Sequence, residues 1–266
     1  MRNLSTALLV LCGAFLCAAL AAEEVSLARG SFRLSLYPAT GGFSVYQLSD
    51  VGKNRYEPLL EDRNGASTSW FSVSFNGKTY KLVRRGLDPV RYEATADGFK
   101  YIFTPNDDFQ VEQEFTLVNN PVTGEACAVR IDTTVENTSG KAGAFSAKAL
   151  FDTLLGERTG VHFSTNIRNR VMGETRLVNG IDPDAVIVSQ DKTRSLMFLL
   201  QGNGTSRTEG VFMGNWERLN TRTWLPEFME GRSFNTLYSV NDSAVLFAWP
   251  ERTLEPNKTL STTLIL

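Results

Sequence analysis

The residue types able to do chemistry concentrate between Gly214 and Gly231. Trp216, Trp224 and Phe228 are interleaved there with Glu217, Arg218, Asn220, Arg222, Glu227, Glu230 and, just beyond, Arg232. Sugars are held by aromatic faces against their C–H bonds and by charged or amide groups on their hydroxyls, and this stretch has both. Trp216, Arg218, Arg222, Trp224 and Glu227 are therefore the expected ligand-binding residues. Glu217, Glu227 and Glu230 also offer the carboxyl pair that glycoside hydrolysis needs, an acid facing a nucleophile or base. A plainer reading competes with both. The stretch is then a long loop crossing a sheet, with its tryptophans in the core and its charges in water.

A second group lies mid-chain. His162 is the one histidine of the sequence, and it follows Asp152 and Glu157 closely enough for a carboxylate to orient it as a general acid or base. With no nucleophile motif beside it, the simpler expectation is a histidine packed against its neighbours or facing solvent. Asp152 and Glu157 bracket a turn, Thr153 to Gly156. Two carboxylates and turn carbonyls could hold Ca²⁺, which takes six to eight oxygens, but the dense Asp/Asn/Gly spacing of a calcium loop is missing. No cofactor is expected, and calcium at Asp152 and Glu157 is the one metal reading retained. Asn106-Asp107-Asp108 and Asp182-Pro183-Asp184 read as turns whose side chains bond their own backbone. Glu112 and Glu114 share a strand face about 7 Å apart, as on any solvated sheet. Phosphate loops, dinucleotide fingerprints, nucleophile elbows and zinc motifs are not found in the sequence.

The elements that must carry these residues repeat with period two. Phe32, Leu34 and Leu36 alternate with polar residues, as do Phe71, Val73 and Phe75 before Asn76-Gly77. Asn-Gly between alternating runs is a strong hairpin signal. Val90, Tyr92 and Ala94 lead through Asp97-Gly98 to Phe99, Tyr101 and Phe103 as a second hairpin. Phe109, Val111, Phe115 and Leu117 then oppose Cys127, Val129, Ile131 and Val135, which puts the Cys127 thiol on a buried face as a small core hydrophobe. Alternation of Phe145, Ala147, Ala149 and Phe151 makes 142–155 a strand. Further strands are expected at 185–189, 195–200, 234–240, 243–249 and 259–266. The expectation is an all-β chain of roughly 15 to 18 strands, a single domain over 23–266, built as an antiparallel β-sandwich of two large packed sheets.

Arg2, the apolar run from Leu4 to Leu20 and the small residues Ala19 and Ala21 form a secretory signal peptide over residues 1–22. With it leave Cys12 and Cys17, so only Cys127 remains and no intramolecular disulfide can form. An exported chain without disulfides suits a bacterial periplasm or cell surface. The full sequence carries 27 Lys+Arg against 29 Asp+Glu. A weakly acidic chain without basic runs is no nucleic-acid binder, and no second apolar stretch reaches membrane length.

Three passages carry a family resemblance. They are Phe32 to Leu60 with Gly41-Gly42-Phe43; Val135 to Gly140 followed by Leu150 to Gly156; and Val240 to Val245 followed by Trp249-Pro250 and Leu254-Glu255-Pro256. Together they resemble exported proteins of the galactose-mutarotase-like, β-supersandwich fold, whose domains commonly bind or process carbohydrate. Aldose epimerases of that fold use histidines with a carboxylate, and here His162 has no second histidine to pair with. The resemblance implies a scaffold and not an active site. The expected function is an exported, non-catalytic β-sandwich protein that binds carbohydrate or associates with other envelope proteins. A carbohydrate-active enzyme and a structural protein-interaction module are the alternatives.

Overall fold

The computed structural model describes residues 24–83, 90–202, 204–221 and 223–266. The expected signal peptide, residues 1–22, and Arg222 lie outside these residues. In chain order the strands are β1 (Val25–Arg29), β2 (Phe32–Tyr37), β3 (Gly42–Asp50), β4 (Arg55–Pro58), β5 (Trp70–Phe75) and β6 (Lys78–Lys81). Next come β7 (Arg91–Ala94), β8 (Gly98–Asn106), β9 (Phe109–Asn119), β10 (Ala126–Asn137), β11 (Gly143–Thr153), β12 (Ser164–Thr165) and β13 (Thr175–Leu177). The last are β14 (Val186–Gln190), β15 (Ser195–Leu199), β16 (Gly210–Asn215), β17 (Ser243–Ala248), β18 (Arg252–Leu254) and β19 (Thr259–Ile265). Helix is confined to two single turns, Arg63–Ala66 and Trp216–Leu219, among the described residues.

The two large sheets are antiparallel. One runs β19-β10-β9-β8-β7 and the other β13-β16-β17-β11-β5-β6, with β18 also on β11. A four-stranded meander, β1 to β4, and the small sheet β12-β14-β15 complete the molecule. The hairpin signals hold: Asn76 and Gly77 both have positive φ, as a tight two-residue turn between β5 and β6 demands.

The inward faces meet in one aromatic core. Phe43 of β3 lies 4.9 Å from Phe115 of β9 and 6.0 Å from both Phe71 and Phe151, so one ring ties the meander to both large sheets. The buried Gln113 and Thr133, facing each other across β9 and β10, satisfy one another at 3.2 Å. An unpaired amide at that depth would cost about 1–3 kcal/mol.

Two expectations are corrected. Cys127 is exposed, not buried. The register of β10 against β9 slips between Ala126 and Ala128, which leaves Cys127 as the extra residue of a bulge and gives the buried place to Ala126. The stretch 234–240 is a loop, with Leu237, Tyr238 and Val240 exposed. Its polar side chains bond the local backbone instead of leaving it to a ladder: Thr236 accepts from the N–H groups of Tyr238 and Ser239, and Asn235 from that of Asn241.

The seven-element sheet is buried on both faces. Inward from β11 point Phe145, Ala147, Ala149 and Phe151. Outward, Trp70, Leu150, Leu246 and Phe212 sit in register on β5, β11, β17 and β16, making an apolar row across four strands. Leu219, Trp216 and Phe228 from the 214–231 stretch pack over that row as a second core.

Candidate functional site

The cover over the outward face stops short of one end, and the acidic residues gather there. Lys148, Leu150 and Asp152 succeed one another on the outward face of β11. Leu150 is under the cover, and Asp152 lies just past it, in the wall of an open cleft of about 550 Å³. Glu61, Arg63, Glu157, Trp216 and Asp242 line the same cleft.

Each group is placed by its local structure. Leu60 bridges Thr153, and the Glu61 amide donates to the Asp152 carbonyl at 3.0 Å, which sets Glu61 beside the end of β11. The turn at Arg63–Ala66 packs so closely on Gly42 that a Cβ there would stand 2.3 Å from the Gly65 carbonyl oxygen. Gly156 turns the chain at φ +84, a conformation L side chains avoid, and presents Glu157 to the cleft. Glu157 accepts from the Ser243 amide at 3.3 Å. Asp242 accepts from the Ser239 hydroxyl at 2.6 Å. Asn215 caps the helical turn by accepting from the Glu217 amide, while the Trp216 indole donates to the Thr68 carbonyl at 3.0 Å. Trp216 is thereby fixed half-buried at the boundary between second core and cleft.

The electrostatics of the four carboxyls divide. Burial, with Asp242 and Glu61 close by, pushes Asp152 up to about 7. Burial and the same acidic neighbours push Glu157 up to about 8. Asp242 is raised for the same reasons. Burial would raise Glu61 as well, but Arg63 donates to both its oxygens at 2.8 Å and through its own amide, and the carboxyl ends below its ordinary value. The cleft therefore sets a carboxyl whose pKa is lowered beside carboxyls whose pKa values are raised, a split of the kind that lets one site both accept and donate protons.

Asp152, Glu157 and Asp242 also bring ligand oxygens within 4.8 Å of one another. An all-oxygen set of this kind fits a hard cation such as Ca²⁺ and not zinc, which prefers nitrogen and sulfur.

The expected site residues are divided by the fold. Trp216, Asp152 and Glu157 come together, although they belonged to separate expectations. Glu217 is exposed on the flank of Trp216 and accepts from the Thr236 hydroxyl at 2.6 Å. Arg218 is committed elsewhere: with Arg232 it neutralises the buried Glu174, at 2.5 Å and 2.8 Å, and anchors the 214–231 stretch. Trp224 lies over the buried Lys148, whose ammonium is 5.2 Å from its ring and 5.4 Å from that of Trp70. Glu227 and Glu230 are exposed and do not line the cleft. Glu230 accepts from the Arg176 amide, and the Glu227 carbonyl from Arg232. His162 is not in the cleft either. It is buried, with its ring 4.6 Å from that of Phe234, and burial lowers its pKa while a side-chain bond to Asn241 opposes the shift. The Asn106 and Asp182 turns behave as turns: Asn106 accepts from the Asp108 amide and Asp182 from the Val178 amide.

Sequence reasoning missed Glu61, Arg63 and Asp242. Asp242 stands in the third passage of the resemblance, between Asn241 and Ser243, but nothing local marks it as chemical. Glu61 follows the apolar pair Leu59-Leu60, which signals only the end of a buried segment.

No family model matches this chain, and no curated protein does. Among solved structures it is similar to a galactose mutarotase-like protein from Lactobacillus casei, at 11% identity and TM-score 0.49, covering 91% of this chain and 98% of that one. It is also similar to a putative aldose 1-epimerase from Escherichia coli, at 11% identity, TM-score 0.48 and coverage of 91% and 97%. An aldose epimerase homologue from C. elegans gives 11% identity, TM-score 0.43 and coverage of 91% and 97%. No residue role is carried over from them.

Proposed function

We propose that this chain is an exported carbohydrate-binding protein whose ligand occupies the acidic cleft. The observation that carries the reading is the convergence of half-buried Trp216 with Glu61, Asp152, Glu157 and Asp242 around one opening. An indole offers a flat apolar surface to sugar C–H bonds, and carboxyls accept from sugar hydroxyls, or donate where protonated. The size of the cleft, about 550 Å³, suits one or two sugar rings. Export rests on the leader pattern of residues 1–22, and a bacterial periplasm or surface is its natural setting.

One observation favours a second reading, acid–base processing of the bound sugar. Arg63 lowers the pKa of Glu61 while burial pushes that of Glu157 up to about 8, the division of acid and base that a glycosidase or epimerase-like reaction draws on.

The test is a glycan array probed with the chain from Glu23 onward, in calcium and in chelator, followed by titration of each hit. Asp242→Asn and Trp216→Ala are expected to weaken the binding of a hit roughly tenfold, the loss of about 1.4 kcal/mol of contact. Product formation on the hit would select the enzymatic reading. Loss of binding in chelator would assign Asp152, Glu157 and Asp242 to calcium. A blank array beside a cooperative melt would reject the carbohydrate reading and favour an envelope protein as the partner.

A further inference from the structure

A second opening, a groove of about 670 Å³, lies where the rims of the two large sheets meet. Its walls are the Trp249–Leu254 stretch carrying β18, the first half of β19, and Ser206-Arg207 from the preceding loop. The groove is opposite in charge to the acidic cleft. Arg207 and Arg252 line it and, among the described residues, no acidic one does. Both arginines are exposed, and neither is ion-paired among the described residues. Arg207 donates to the Asn179 carbonyl at 3.2 Å, which steadies the side chain without neutralising it. Two arginines lining one groove without a carboxylate among its lining residues give it positive charge.

The remaining lining says what sort of anion fits. Trp249, Pro250 and Leu254 give apolar wall, and Ser206, Thr253 and Thr259 give hydroxyls. Trp249 is only 2% exposed and adds the edge of a buried ring to that wall, its indole Nε1 being closed off from solvent and without an acceptor among the described residues. The volume far exceeds that of a bare inorganic anion, and the mixture of hydroxyls, apolar wall and guanidinium forks matches a polyhydroxylated carboxylate.

We propose that this groove is a second binding site and that it takes an acidic saccharide, a sugar acid whose carboxylate is held by Arg207 and Arg252. The site is independent of the acidic cleft, where a carboxylate ligand would face four carboxyls.

Titration calorimetry of the chain from Glu23 with digalacturonate, against neutral digalactose, tests the assignment. Digalacturonate is expected to bind, and to weaken as salt is raised. Arg252→Ala, a substitution at an exposed position, is expected to lower its affinity about tenfold or more, as does loss of a charge-assisted hydrogen bond. Arg207→Gln should have a similar effect. Asp242→Asn in the acidic cleft should leave this binding unchanged. Equal affinity for the neutral sugar, no binding of digalacturonate, or full binding by both arginine variants would overturn the proposal. Loss of binding in Asp242→Asn would also overturn it, by moving the ligand to the cleft.

Discussion

Along one face of β11, Lys148, Leu150 and Asp152 point the same way and meet different surroundings. Leu150 lies in an apolar row and is sealed by Leu219 and its neighbours. Lys148 is buried as well, between Trp70 and Trp224, with its ammonium donating to the carbonyls of Thr223 and Trp224 and its pKa drawn down to about 8 by burial and by Lys81. Asp152 is two residues further on, where the cover ends and the cleft begins. Strand geometry alone would give all three the same role. What separates second core from candidate site is the length of the 214–231 segment laid across the sheet.

The comparison breaks most visibly at Leu150. Leu150→Ala should cost ~2–5 kcal/mol in urea unfolding, because the side chain is fully buried and its row cannot collapse across four paired strands. A cost below about 1 kcal/mol would mean that the 214–231 stretch does not seal the sheet.

The acidic end should show itself through pH. Asp152 and Glu157 have folded pKa values of about 7 and about 8, above ordinary values of 3.8 and 4.5. The unfolded chain therefore releases these protons first. The contribution of these groups is complete below the ordinary values and is lost as pH rises through 7 to 8. Thermal stability should fall between pH 5 and pH 8. Glu157→Gln should melt higher than the parent at pH 8, by about 2–4 °C for each kcal/mol relieved, and no higher at pH 4. A variant that melts lower at pH 8 would show that the ionised carboxylate is stabilised there.

The smallest effect is expected at Cys127, on the other large sheet. The thiol should react with a maleimide in native buffer without prior unfolding, and Cys127→Ser should change stability by no more than about 0.5 kcal/mol. Protection of the thiol until the chain unfolds would restore the buried placement and remove the bulge in β10.

Period-two alternation determined most of the architecture on its own. It is a local property, and it reports burial correctly along Phe109 to Leu117 of β9; on β11 it marks the inward face while the other face is buried too, and on β7 Tyr92 and Ala94 are exposed although the register is unbroken. Asn76-Gly77 likewise specifies its turn locally, through two positive φ angles. The same logic failed at Cys127, where one extra residue reversed the parity, and strand-like composition misled at 234–240, whose polar side chains bond their own backbone. The site was readable only in fragments. Trp216, Asp152 and Glu157 stood out by residue type, but Glu61 and Asp242 join them from opposite ends of the chain, through a strand-end bridge and a loop beside the helical turn. Arg218 stood out for the same reason as Trp216, and the buried Glu174, distant in sequence, claimed it for the framework. Which side chains share a strand face follows from spacing along the chain, and the sequence contains that spacing in full. Which faces are covered, and which charges end up as neighbours, depends on segments far apart in sequence, and only the tertiary structure brings those together.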